Sequence, residues 1–357
     1  MNPRPPSQSQ PLATRLHSHQ ALATQLAGLD DTALSRWLAA APTASMSIGG
    51  RTMRLQLDQR EVFAKLIPLS ALELEHPGSS ANLFGLPTYF QYGIGSVGFG
   101  AWRELAAQQM ASDWVRSGAC GGFPLLHHWR LLGLPALHGL NEAFQDWGAD
   151  YFAAAEPASL PGQAEVLARF AAVQRPAAWL VLLLECFAAP VSTWLRAALT
   201  QGGPPADRAV ALVDEGMDGL LGFLGRQGFV HFDTHLDNLL TDGEALYLSD
   251  FGLASSPQFA LSDAERAFAA VHADYDAARF ASSLVQALVT SRGLSWRDYL
   301  AAPERLDVET LPVPLRRVYR RHAPPALALC EFSRRLQRDS KLSPYPAAAL
   351  RRLSVAG

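Results

Sequence analysis

The stretch VHFDTHLDNLLTDGEALYLSDFGLA, residues 230–254, places Asp233, Asn238 and Asp250 in one short run. Between Asn238 and Asp250 lie an apolar pair, Leu239-Leu240, a turn signal, Asp242-Gly243, and a second apolar-rich run, Ala245 to Leu248. That order reads as a hairpin. Folding it back sets Asp250 beside Asp233 and Asn238, so two carboxylates and an amide oxygen surround one point. Hard oxygen donors suit magnesium, which keeps several waters and bridges substrate phosphates. One carboxylate is then left to orient and deprotonate an attacking hydroxyl. Phosphoryl transfer needs these parts.

The ordered set His231-Phe232-Asp233, Asn238 and Asp250-Phe251-Gly252 resembles the protein-kinase-like superfamily. The resemblance implies Asp233 as catalytic base and Asn238 and Asp250 as magnesium ligands. Two residues depart from the common pattern. Phe232 replaces an arginine that many kinases pair with a phosphorylated activation loop. His235 stands two residues after Asp233, where Ser/Thr kinases usually have lysine. A histidine there is similar to the aminoglycoside and choline kinase pattern, and implies either contact with the transferring phosphate or loop packing.

The same resemblance asks for a strand lysine and a helix glutamate. Lys65, in VFAKLI, fits the first; a lysine among apolar strand residues needs a partner for its ammonium. Glu104, in WRELAAQQM, is chosen as that partner over Glu73 and Glu75. GIGSVGFG supplies Gly93, Gly95, Ser96 and Gly98 as an expected phosphate-covering loop that leads into a helix N-terminus. It follows Lys65, whereas such loops ordinarily precede the lysine strand. Gly49-Gly50 is the conventionally placed competitor. LLLECFAAPVSTWL, residues 182–195, resembles a hinge, with the backbone from Glu185 to Phe187 meeting adenine. Asp274 or Asp276, ahead of a helical run, is a candidate brace for the catalytic loop. The A-P-E triplet does not occur.

The elements that position these groups follow from pattern and punctuation. Residues 1–15 are rich in Pro, Ser and Gln and read as a disordered tail. Residues 16–41 read as a helical extension, with Leu22, Leu26, Leu29, Leu34 and Leu38 near helical spacing and Pro42 as the stop. Residues 45–69 read as two or three antiparallel strands around Gly49-Gly50. Residues 75–92 read as loop, 102–118 as helix, 122–134 and 179–185 as strands, and 208–225, 274–290 and much of 313–353 as helices. The chain is thus expected to be α+β, a bilobal protein-kinase-like fold, with a sheet-rich N-lobe over 42–187 and a helical C-lobe over 188–357.

Composition narrows the classes. The chain has 357 residues, is 49% hydrophobic and carries a formal charge of −3, without the basic surplus of a nucleic-acid binder. Its 3 cysteines, Cys120, Cys186 and Cys330, are far apart, which argues against a disulfide framework or a zinc site. There is no signal-like N-terminal run and no membrane span; Glu185 interrupts the longest apolar stretch. A cytoplasmic protein is expected. The expected function is ATP- and magnesium-dependent transfer of the γ-phosphoryl group to a hydroxyl, with Ser/Thr of a protein as acceptor. A small-molecule kinase of aminoglycoside or metabolite type is the alternative, and a nucleotide-binding pseudokinase scaffold or an AMP transferase the next.

Overall fold

A computed structural model describes residues 11–47, 50–93, 96–137 and 160–355. The chain divides into two compact units, one formed by Gln10–Cys186 with Phe251–Glu265, the other by Phe187–Asp250 with the residues from Arg266 onward. The architecture is α+β: an antiparallel sheet with flanking helices in the first unit, mostly helices in the second.

In the sheet unit, helices α1 (Leu12–Ala27) and α2 (Asp31–Ala40) precede β1 (Thr43–Ser47), β2 (Gly50–Leu57) and β3 (Arg60–Leu69). Then come α3 (Ala71–Glu75), α4 (Ala101–Arg116), β4 (Leu126–Gly133), α5 (Gln163–Gln174) and β5 (Ala178–Glu185). The sheet order is β1-β2-β3-β5-β4, with every neighbour antiparallel. Strand side chains alternate between faces, and β3 and β5 use both. Val62, Ala64, Leu66, Trp179, Val181 and Leu183 pack against Leu22, Leu26, Leu34 and Leu38 of α1 and α2. Ile67, Leu69, Leu180, Leu182 and Leu184 face Ala101, Trp102 and Leu105 of α4. Each fully buried Leu or Val contributes about 1.5–3 kcal/mol, so the N-terminal helices are a wall of the core, not an appendage.

Two readings of the N-terminal region change. The expected single helix over 16–41 is two helices, because Asp30 leaves helical geometry and its side chain accepts from Ala33 N at 2.7 Å, starting α2 afresh. The helical part begins at Leu12, inside the expected tail, since Arg15 is anchored in the unit's interior. A third difference concerns Phe251–Glu265, which the sequence places with the helical lobe. This segment belongs to the sheet unit. Phe251 packs on Phe123 with ring centroids 6.2 Å apart, Ala260 N donates to Ser80 Oγ at 2.9 Å, and Glu265 pairs with Arg103 at 2.7 Å.

The helical unit opens with β6 (Ala189–Pro190), α6 (Val191–Gln201) and α7 (Gly203–Arg226). The hairpin β7 (Leu239–Thr241) and β8 (Leu246–Leu248) follows, and β6 joins it as a third strand. Helices α8 (Asp263–Val271), α9 (Tyr275–Thr290), α10 (Trp296–Ala301), α11 (Val313–Arg338) and α12 (Ala347–Val355) complete the chain. α9 packs along α11, burying Phe280, Leu284, Leu288, Leu329 and Phe332. Among the described residues, no helix is long and apolar enough to cross a membrane.

Candidate active site

The catalytic-loop residues hang from one buried carboxylate. Asp276, in the first turn of α9, accepts from His231 N and Phe232 N at 2.7 Å each. Its backbone carbonyl accepts from Thr234 Oγ1 at 2.6 Å. Of the two aspartates considered as the brace, Asp276 is the one; Asp274 instead pairs with Arg351 Nε at 3.2 Å. Burial pushes the Asp276 carboxyl up to about 7, and the two backbone amides pull the other way.

His231 is fully buried and bridges the loop to the hairpin. Its Nδ1 accepts from Asp233 N at 3.2 Å, so Nε2 carries the proton that is donated to Ser249 O at 3.0 Å. Burial lowers this ring to about 4, against the charges of Asp233 and Asp250 acting on it. His231 therefore works as a neutral strut at neutral pH.

The hairpin closes as its turn residues dictate. Asp242 Oδ1 accepts from Glu244 N and Ala245 N at 3.0 and 2.9 Å, and Leu239 pairs with Leu248. One step outward, Ser249 N and Oγ both donate to Asn238 O, at 2.9 and 2.8 Å. Asp250 follows directly. Its φ is +64°, as is that of Phe232. Left-handed backbone at non-glycine residues costs of order 1–3 kcal/mol and persists only where the surroundings impose it. Here it falls on the residues beside the two carboxylates of interest, or on one of them.

Asn238 Nδ2 donates to Asp233 O at 2.9 Å and to Asp233 Oδ2 at 3.1 Å. The amide is thereby oriented with Oδ1 as its acceptor. Asp233 is also approached by His235 Nε2 at 3.3 Å and Arg279 Nη2 at 3.4 Å. Burial pushes the Asp233 carboxyl up. The hydrogen bond and charge of His235, with Arg279 and His231, outweigh it and bring the group down to about 2. His235 Nδ1 accepts from Asp237 N at 3.2 Å, which leaves Nε2–H for Asp233. Among the described residues no group of three or more His, Cys, Asp or Glu could hold a metal. Asn238 Oδ1 and the Asp250 carboxylate are hard oxygen donors, the chemistry that suits a cation taking its other oxygens from water and substrate.

In the sheet unit, Lys65 Nζ lies 2.5 Å from Glu104 Oε1, and both side chains are buried. Glu73, the rejected alternative, has other work. It forms a capping box with Ser70, pairs with Arg169 Nη1 at 2.7 Å and accepts from Ala101 N at 2.8 Å. Burial raises its pKa, but Arg169 and Ser70 bring it below the ordinary carboxylate range.

That last bond alters the expectation for Gly93, Ser96 and Gly98. The N-terminus of α4, to which the glycine segment leads, is capped by the Glu73 carboxylate, so a phosphate there would meet a negative charge. Ser96 Oγ accepts from Gly98 N at 3.1 Å. Gly95 lies outside the described residues. Of the competing pair, Gly49 lies outside the described residues. Gly50, at φ +120°, sits where a Cβ would come 2.0 Å from Leu66 O, beside Lys65 on β3. Only glycine permits that backbone approach.

At the expected hinge, Glu185 is held through both side chain and backbone. Glu185 is gripped by Arg15, whose Nε and Nη2 reach its two oxygens at 2.9 and 2.8 Å. Glu185 N donates to Leu125 O at 2.8 Å. Phe187, in the helical unit, stacks on Tyr247 with centroids 4.1 Å apart.

Sequence reasoning missed Arg279 and Arg15. Arg279 stands three residues after Asp276, one helical turn along the same face of α9. That spacing was the only available signal. Arg15 and Glu185 are 170 positions apart, and nothing local joins them.

No protein-family model matches the chain, and no curated protein does. A solved structure of WaaP in complex with acyl carrier protein is similar, at 15% identity and a TM-score of 0.39, covering 90% of each chain.

Proposed function

We propose that the chain is an ATP-dependent phosphotransferase that moves the γ-phosphoryl group to a hydroxyl. The observation that carries this reading is Asn238 hydrogen-bonded to Asp233 at the start of the β7–β8 hairpin, whose returning strand leads on to Asp250. Asn238 Oδ1 and the Asp250 carboxylate are the groups that would hold magnesium. Bound there, the ion would neutralise charge on the phosphates. Asp233 accepts the acceptor hydroxyl as a hydrogen-bond donor and aims its oxygen. With its pKa brought down to about 2, it is a weak base. It takes the proton late, as the new O–P bond forms and the bond to the leaving phosphate breaks. Lys65, held by Glu104, is assigned to the α and β phosphates. Gly50 is assigned to the cover over them, because α4's N-terminus is already capped.

Serine or threonine of a protein is the acceptor proposed first, on the lysine-strand pattern and DFG-Leu-Ala. A small-molecule hydroxyl is the second reading, favoured by the bond from His235 to Asp233. Incubation with γ-labelled and α-labelled ATP separates them. γ-Label in a protein band supports the first and γ-label in a metabolite pool the second. Transfer of α-label points to AMP transfer, and transfer of neither label overturns the enzyme.

A further inference from the structure

We propose that Gln91 and Gly98, with Arg103 behind them, form a dock that positions the residues after Asp250. The inference rests on the assignment of Asp250 as a metal ligand. Gln91 Nε2 donates to Leu253 O. Gly98, at φ +73°, lies so close to the next strand of chain that a Cβ there would sit 2.6 Å from Gly252 O. These two contacts hold Gly252 and Leu253, immediately beyond the Asp250-Phe251 pair. The far end of the same segment is held as firmly. Glu265 Oε2 accepts from Ser262 N and Oγ at 2.9 Å each, which frees Oε1 for Arg103 Nη2 at 2.7 Å. Arg103 Nε also donates to Ser80 O at 2.6 Å, and its guanidinium lies 4.9 Å from the Phe99 ring centre.

Arg103 and Glu265 are 3% and 7% exposed, and a buried ion pair is costly to build unless its geometry is complete. The next residue on α4, Glu104, holds Lys65. One helix thus carries both the phosphate lysine's partner and the anchor of the segment following the metal-holding aspartate. Gly98, earlier expected to cradle phosphate, serves close packing of backbone on backbone, and Gly93 lies against the Leu253 side chain. Gln91, Gly98 and Arg103 are positioning residues: they act on the cation through the peptide segment that ends at Asp250.

The test compares Gly98→Ala, Gln91→Leu and Gly78→Ala in the full chain. Gly78 has the same φ of +73° with nothing within 4 Å of a Cβ, so it reproduces the backbone strain without the contact. ATP binding is titrated against magnesium, and amide exchange over residues 252–262 is followed without nucleotide. Residues supporting a metal's ligands typically change its affinity 10–100-fold. Gly98→Ala and Gln91→Leu are expected to raise half-saturating magnesium about 10-fold and to quicken exchange in the segment, with Gly78→Ala changing neither. Faster exchange with unchanged magnesium dependence, or no change in either, overturns the dock. If the unaltered chain binds no magnesium-dependent ATP, the assignment of Asp250 falls first, and this inference with it.

Discussion

Replacing Asp233 with alanine is expected to lower phosphoryl transfer by about 10²–10⁴-fold while the affinity for magnesium and ATP changes little. Asp233 touches the acceptor side of the reaction in this account. In the proposed mechanism Asn238 and Asp250 carry the cation. The Asp233 side chain also accepts from His235 at 3.3 Å and pairs with Arg279 at 3.4 Å, contacts that the variant loses. A modest loss of stability should accompany the loss of rate, and rescue of folding without rescue of rate separates the two. The pH dependence has a definite sign. Asp233 is lowered to about 2, below its unfolded value of roughly 3.9. Its stabilising contribution is therefore complete above pH 4 and is lost as pH falls through about 2. No rate loss between pH 5 and 8 should trace to this group. A wild-type acidic limb in that range that disappears in Asp233→Asn would contradict the assignment. Full activity of Asp233→Ala would remove the base altogether.

The second large effect is at Asp276. Alanine there orphans two buried backbone amides, those of His231 and Phe232. Each unsatisfied donor costs about 1–3 kcal/mol, so a loss of about 2–6 kcal/mol in unfolding free energy is expected. Phe232 is held at φ +64° by these bonds, and without them the loop relaxes and Asp233 leaves its position. Activity should fall with stability, even though Asp276 touches neither nucleotide nor acceptor in the proposed mechanism. The pH signature is opposite to that of Asp233. A carboxyl raised to about 7 when folded, from roughly 3.9 unfolded, binds more protons in the folded state between those values. It makes stability decline as pH rises across that window. Denaturant unfolding at pH 5 and pH 8 should show this decline in the wild type and a smaller one in Asp276→Ala. An unchanged slope would mean that Asp276 is ionised throughout.

What the sequence made legible was local. Asn238 and Asp250 flank a hairpin whose turn, strands and spacing all lie within 21 residues, 230–250, so the hairpin itself was readable from pairing rules alone. β5 was readable because an unbroken apolar run bounded by Pro176 and Glu185 can only be buried on both faces. Lys65 and Glu104 were paired by chemistry, since a strand lysine among apolar residues must find an acid. The spatial choice of Glu104 over Glu73 was not decidable locally, and Arg169, 96 positions from Glu73, settles it. The glycine segment misled for a physical reason. Glycine permits phosphate approach and backbone approach equally, and the sequence does not say that Gly252 is the neighbour. The break at Asp30 was visible as an N-cap type, yet the leucine spacing on either side concealed it.

The central claim is that Asn238 and Asp250 hold a divalent cation that brings ATP to Asp233. Its most direct test is calorimetric titration of ATP into the chain with and without magnesium, repeated on Asp250→Ala. ATP binding is expected to strengthen with magnesium in the unaltered chain and to lose that dependence in the variant. ATP binding indifferent to magnesium, or equally magnesium-dependent without the Asp250 carboxylate, would contradict it.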